Sequence, residues 1–128
     1  MLVRKMKTMN KLTVENFEMF QNECDKWLNR FGLTGWDVGY YFEFIFEALA
    51  NCDVPNLEDR VCMITLASKW PRHIEVTESM IKKVAFHEVC ELLLARMGIL
   101  GESRYVSEVQ LREATHEVIR TLETAVFY

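Results

Sequence analysis

The segment TESMIKKVAFHEVCELLLARMG, residues 77–98, contains the clearest helix pattern in the chain. Thr77 is a good N-cap, and Glu78 suits the first turn, where a carboxylate meets the positive end of the helix dipole. Helical spacing of apolar residues continues to Gly98, a residue type that commonly follows a helix end. The segment predicts a helix over about residues 78–97, against which the rest of the chain must pack.

One helix and three strands are predicted before this segment. Residues 13–31 place apolar side chains at steps of three and four, and Gly32 follows as a helix end. Apolar and polar residues alternate over 36–44, which is the period of a half-buried strand. The Pro and Asn of residues 55–59 predict a turn, so the strand at 61–67 forms an antiparallel hairpin with the run before it.

A second long helix is predicted after a loop around residues 98–104. It runs from about Ser107 to Val126, and its predicted inner stripe is Leu111, Thr115, Val118, Leu122 and Ala125. The order of helix, about three strands, helix and helix predicts an α+β fold with a mostly antiparallel sheet. Residues 13–128 form a single domain, and the basic residues 1–12 are expected to be a loose arm.

Composition narrows the functional class. The chain has 128 residues, of which 50% are hydrophobic, so it can bury a core without disulfide or metal support. A net charge of −4 argues against a nucleic-acid partner. No run approaches the roughly 18 apolar residues of a membrane span, so we expect a soluble, cytoplasmic protein with no membrane partner. The four cysteines lack CxxC spacing and are interpreted as reduced core thiols.

The sequence FHEVCELLLARM, residues 86–97, carries the residues most suggestive of chemistry. At about 100° per residue, His87 and Glu91 differ by about 40° and stand one turn apart on one helix face. Glu88 lies beside that pair. This is the arrangement by which HExxH helices present two zinc ligands and a general base, with Glu91 in place of the second histidine.

A third ligand must come from another element, and His116 in REATHEVIRTLE is the candidate. If the last two helices are antiparallel neighbours, the middle of one faces the middle of the other. The inner stripe assigned above nevertheless points roughly 130° away from His116. Glu113 is an alternative ligand or a carboxylate that orients His116, Glu117 is another alternative, and Cys90 is near enough to contribute a thiolate.

The chain resembles the small zincin-like proteins encoded by bacteriophages, a family regarded as metallopeptidases. The resemblance rests on GLTGWDV, RVCMITLASKW, AFHEVCELLL and EATHEVIRTLE, and covers about residues 25–125. It implies a minimal zincin-like fold in the host cytoplasm, with Zn²⁺ held by His87, Glu91 and His116. It also implies Glu88 as general base, peptide or amide hydrolysis, and 61–67 as an edge strand for an extended substrate.

Three other interpretations stay open at this stage. The two histidines could be structural, hydrogen-bonded to Glu91 or Glu113 across a helix interface. A zinc ion with four protein ligands, including Cys90 or Glu113, would be structural, because no position is left for water. A degenerate site would leave a binding protein on the same scaffold, acting on a host protein with or without a structural metal.

Overall fold

The computed structural model describes residues 8–102 and 105–127 of the chain. Within these ranges it contains four helices: α1 (Val14–Arg30), α2 (Glu78–Leu93), α3 (Ala95–Glu102) and α4 (Glu108–Phe127). The same residues contain five strands: β1 (Asn10–Lys11), β2 (Asp37–Glu43), β3 (Ala50–Asn56), β4 (Val61–Ala67) and β5 (Lys69–Trp70). The predicted α+β class is therefore confirmed.

Helix α1 begins at a capping box and is followed by a glycine. The Thr13 hydroxyl accepts a hydrogen bond from the Asn16 N–H, and the Asn16 side chain accepts one from the Thr13 N–H. This capping box satisfies two donors that a helix start would otherwise leave free. Gly32 follows the helix with φ of +69°, a conformation that favours glycine. Both predicted ends are confirmed.

The main sheet has the strand order β2-β4-β3, so β4 is central. The β3–β4 pairing is antiparallel, as predicted for the hairpin, whereas β2 runs parallel to β4 with Asp37 opposite Val61. The expectation that residues 61–67 form an edge strand is wrong, because β4 is paired on both sides. Along β4, Cys62, Ile64 and Leu66 are fully buried, which suits a central strand.

The hydrophobic core lies between α1, α2 and one face of this sheet. Helix α1 contributes Phe20 and Cys24, and α2 contributes Ile81, Ala85 and Val89, all with no exposed area. Two thiols at 24 and 62 are buried, and all four cysteines are free. The α1–α2 pair therefore fixes which face of α2 points inward.

The N-terminal residues lie closer to the domain than predicted. Residues 1–7 of the expected basic arm lie outside the described residues. Asn10 pairs with Trp70 in a short antiparallel ladder, and its side chain donates a hydrogen bond to the Ile74 carbonyl at 2.7 Å. Leu12 is 2% exposed and belongs to the core. From Asn10 onward the chain is therefore held by backbone pairing and burial.

The predicted helix over 78–97 is divided at Leu94. Helix α2 ends there, and α3 follows at Ala95, so Gly98 lies inside a helix and donates its N–H to the Leu94 carbonyl. Glycine is permissive and does not compel a helix to stop unless a positive φ is required. The extra short helix lengthens the connection between α2 and α4.

The buried face of α4 only partly overlaps the predicted stripe, of which Val118 is half-buried and Ala125 is buried. Ala114 and Ala125 are its buried residues, whereas Leu111 and Leu122 of the predicted inner stripe are 36% and 42% exposed. The exposed apolar residues of α4 include Leu111, Ile119, Leu122 and Val126. Neither α4 nor any other helix within 8–102 and 105–127 is long and apolar enough to cross a membrane.

Candidate functional site

His87 and Glu91 form a direct pair on the outer face of α2. The His87 Nε2 and Glu91 Oε1 atoms are 3.2 Å apart, and the two side chains are 68% and 57% exposed. Their four-residue spacing on a helix brings them together without help from any other element. The structure therefore unites two of the three predicted ligands, at a position that solvent reaches.

Glu88 points inward from the same turn. It is the one buried charged residue among the described part of the chain, with 6% of its surface exposed. It lines a pocket of about 250 Å³ between α2 and the start of β3, whose other lining residues are Leu49, Ala50, Met80, Lys83, Val84 and His87. Glu88 thus borders a small cleft that His87 also lines.

Burial changes the acid–base behaviour of this carboxyl group. Loss of solvation raises the pKa of Glu88 from its ordinary value of 4.5 to about 7. The nearby His87 opposes this change, and the negative charge of Glu91 adds to it. Near neutral pH the group can therefore either accept or donate a proton, which is the property required of a general acid–base residue.

His116 does not join this site. The positions of α4 that are buried or half-buried include Ala114, Val118, Thr121 and Ala125. At about 100° per residue, His116 lies about 170° from the centre of that packed face. Its side chain is exposed, and α4 packs on α3 rather than along α2. The inserted α3 thus separates the two histidine-bearing helices that a short connection would have paired.

The alternative ligands also have other partners. Arg96 of α3 lies 2.7 Å from a carboxylate oxygen of Glu117 and 3.7 Å from one of Glu113. These contacts link α3 to α4, and both carboxylates are paired with the Arg96 guanidinium.

Cys90 is half-buried. Burial, followed by the charge of Glu91, raises the pKa of its thiol. A raised pKa disfavours the thiolate that zinc binds.

A complete protein ligand set is not assembled around His87. Among residues 8–102 and 105–127, no three His, Cys, Asp or Glu side chains are grouped closely enough to hold a metal ion. The zinc set of His87, Glu91 and His116 stays a prediction, of which the structure brings together the first pair. That pair can supply two ligands, and Glu88 can supply the neighbouring proton acceptor.

Several residues that line the pocket are absent from the predicted site, among them Lys83, Leu49 and Ala50. Lys83 precedes His87 by four residues and so falls on the same helix face, a signal present in the sequence. Ala50 begins β3 and Leu49 precedes it. Both line the pocket only because β3 packs against α2. These residues make the site a cleft between a helix and a strand.

A separate pocket of about 380 Å³ lies between residues 44–47 and 71–73. It is lined by the exposed His73, and it shares no lining residue with the Glu88 pocket. Its wall also includes Thr8 and Met9, the first residues described. The chemistry suggested by the sequence therefore belongs to the α2 pocket.

The comparisons with known proteins found no relative of this chain. No protein-family model matches the chain, and neither a curated protein nor a solved structure was found to match it. The candidate site therefore rests on the residues of α2 and β3 themselves.

Proposed function

We propose that the protein is a zinc-dependent hydrolase of peptide or amide bonds, with His87 and Glu91 as metal ligands. The observation that carries this proposal is the 3.2 Å separation of the His87 and Glu91 ligand atoms. Two ligands at about 2.0–2.1 Å from a tetrahedral zinc lie about 3.3–3.4 Å apart, so the pair needs little rearrangement. The exposure of both side chains leaves room for water and substrate.

A zinc ion at this pair would acidify a water molecule and polarise a substrate carbonyl. Glu88 would accept the proton released when the carbonyl is attacked and pass it to the departing amine. Its buried position in the pocket wall keeps its pKa near the operating pH, where proton transfer in both directions is efficient. The cleft between α2 and β3 would hold the substrate segment next to this carboxyl group.

Zinc binding is the first expected result. Titration calorimetry of the full, metal-stripped chain with zinc chloride should show one site, and His87→Ala should weaken it more than about 100-fold because a ligand is lost. His73→Ala is the matched control, since this exposed loop histidine lies away from the pair and should leave the affinity unchanged. His116→Ala tests the predicted third ligand directly.

Absence of stoichiometric zinc binding by the wild-type chain would contradict the metal proposal. If zinc binds, Glu88→Gln should keep the metal but reduce hydrolysis of a fluorogenic peptide mixture by about 100-fold or more, because the proton acceptor is removed. Retained activity in this variant would show that Glu88 is not the general base.

A separate candidate property, self-association, is favoured by the exposed apolar face of α4. This face comprises Leu111, Ile119, Leu122 and Val126, spaced so that they share one side of the helix. We propose that its occupant is α4 of a second copy. In an antiparallel pair centred near residue 118, Arg112 would stand opposite Glu123 of the other copy, so the flanking charges are complementary.

Self-association can be measured by light scattering of the full chain over a concentration series. A dimer is expected, and Ile119→Lys should convert it to a monomer, because a charge in the centre of the apolar face cannot be buried unpaired. Arg120→Lys is the control on the same helix and should leave the dimer intact. A wild-type chain that remains monomeric at millimolar concentration would contradict this pairing.

A further inference from the structure

Two cysteines of the β3–β4 hairpin form a close thiol pair. The Sγ atoms of Cys52 and Cys62 are 3.5 Å apart, within hydrogen-bond distance for sulfur. Both are free thiols, and no other hydrogen bond between two sulfurs is found among residues 8–102 and 105–127. The two side chains come from neighbouring strands, so a covalent bond between them would cross-link the hairpin.

A register shift places both thiols on the same face of the sheet. Cys52 is opposite Ile64, whereas nearer the turn Asn56 is opposite Val61, so the strands shift by one residue between Asp53 and Asn56. Without that shift Cys52 would be opposite residue 65, and its side chain would point away from that of Cys62. The irregular pairing therefore creates the thiol pair.

The two thiols differ in access. Cys62 has no exposed area, whereas Cys52 is half-buried on β3, which pairs with β4 alone among the described strands. The hydrogen bond from the Cys52 thiol lowers the pKa of Cys62, and the same contact together with burial raises the pKa of Cys52. The first deprotonation therefore takes place at Cys62, and the remaining proton lies on Cys52, from which it can pass to Cys62 along the 3.5 Å contact. Cys52 is the sulfur that a reagent can reach.

We propose that Cys52 and Cys62 are a redox modification site that forms a reversible disulfide with a small-molecule disulfide as oxidant. Disulfide sulfurs lie about 2.05 Å apart, so the thiol pair must close by about 1.5 Å. Side-chain rotation and a small movement of the edge strand β3 can supply this. The bond would fix β3 to β4 two residues from Ala50, which lines the Glu88 pocket.

The exchange is balanced in two steps. The remaining proton passes along the hydrogen bond from Cys52 to Cys62. The Cys52 thiolate then attacks one sulfur of the oxidant, forms a mixed disulfide, and releases one small thiolate, which takes up the proton that the pair lost to solvent at the first deprotonation. The Cys62 sulfur then loses its proton and attacks the Cys52 sulfur. This forms the protein disulfide and releases the second small thiol with that proton. The oxidant's disulfide is reduced to two thiols while the protein's two thiols are oxidised.

Glutathione disulfide is a suitable probe for the folded, full-length chain. After incubation, alkylation of the remaining thiols and proteolysis, mass spectrometry should identify a peptide linked through Cys52 and Cys62. Cys90 is the internal control, because it is also half-buried but has no neighbouring thiol. It should carry glutathione or an alkyl group and never an intramolecular bond. Added dithiothreitol should restore four free thiols.

The Cys62→Ala variant separates the two steps. It should stop at a stable Cys52–glutathione adduct, because the resolving sulfur is missing. In the wild-type chain, the same stable adduct at Cys52, or an unmodified Cys52 under conditions that modify Cys90, would overturn the proposal. The wild-type result decides the question even if the variant fails to fold.

Discussion

Replacing Glu88 with glutamine is expected to raise the free energy of unfolding by about 3 kcal/mol at pH 8 and to change it little at pH 4. Burial raises the pKa of this carboxyl group from 4.5 to about 7 in the folded protein. That change corresponds to about 3 kcal/mol of differential proton affinity between the folded and unfolded states. Glutamine carries no charge, so the variant does not pay the free-energy cost of burying an ionised carboxylate at pH 8.

The direction of the pH dependence follows from the raised pKa. The folded state holds the Glu88 proton more tightly than the unfolded state, so its contribution to stability is fully present below about pH 4.5. That contribution is lost as the pH rises to about 7, because the unfolded chain releases the proton first. The wild-type chain should therefore lose stability across this window relative to the variant.

Urea denaturation at pH 4, 6 and 8, with a chelator present, measures the difference directly. Glu18→Gln is the matched control, because it removes an exposed carboxylate from another helix, away from the pocket. Equal pH profiles for the wild-type chain and Glu88→Gln would show that Glu88 is solvated in the folded state. The general-base role would then lose its physical basis.

The parts of the site that lie within one helix could be predicted from the sequence. The N-cap at Thr77 and the four-residue spacing of His87 and Glu91 are local properties, and the structure shows both, with the Met80 N–H bonded to the Thr77 hydroxyl. The inward direction of Glu88 follows from the same helix geometry once the buried face is known. A sequence pattern is most informative over such short distances.

The position of His116 could not be predicted, because it depends on how separate helices pack. A third ligand from α4 requires a short connection between α2 and α4, but the chain forms α3 there. Arg96 on α3 forms exposed ion pairs with Glu113 and Glu117, contacts between α3 and α4 that no periodicity reveals. The packed face shares Val118 and Ala125 with the predicted stripe but extends to the small Ala114, so the larger Leu111 and Leu122 of the stripe are exposed.

Strand pairing was likewise predictable only in part. The turn at residues 55–59 correctly predicted the antiparallel partner of β4, because a short turn forces adjacency. No periodicity in the sequence indicates the parallel pairing of β2 with β4 or the shift after Asp53. The contact between Cys52 and Cys62 depends on that shift, so their positions in the sequence alone did not indicate a thiol pair.

Trp70→Ala is expected to lower the free energy of unfolding by about 4 kcal/mol, because a fully buried indole is replaced by a cavity. Trp70 also donates its indole N–H to the Leu49 carbonyl at 3.1 Å, and Leu49 lines the Glu88 pocket. The Ala67 N–H bonds to the same carbonyl, so that oxygen keeps a partner in the variant. The loss should therefore come mainly from packing.

Trp70→Phe separates the packing of Trp70 from its hydrogen bond. It keeps most of the apolar volume and should recover more than half of the stability lost in Trp70→Ala. It also removes the hydrogen bond from the indole N–H to the Leu49 carbonyl. Trp36→Ala is the control for removing a tryptophan, since Trp36 is only half-buried and should cost less than about 2 kcal/mol. Urea denaturation compares the three variants. A loss in Trp70→Ala no larger than that in Trp36→Ala would mean that Trp70 does not anchor the strand beside the candidate site.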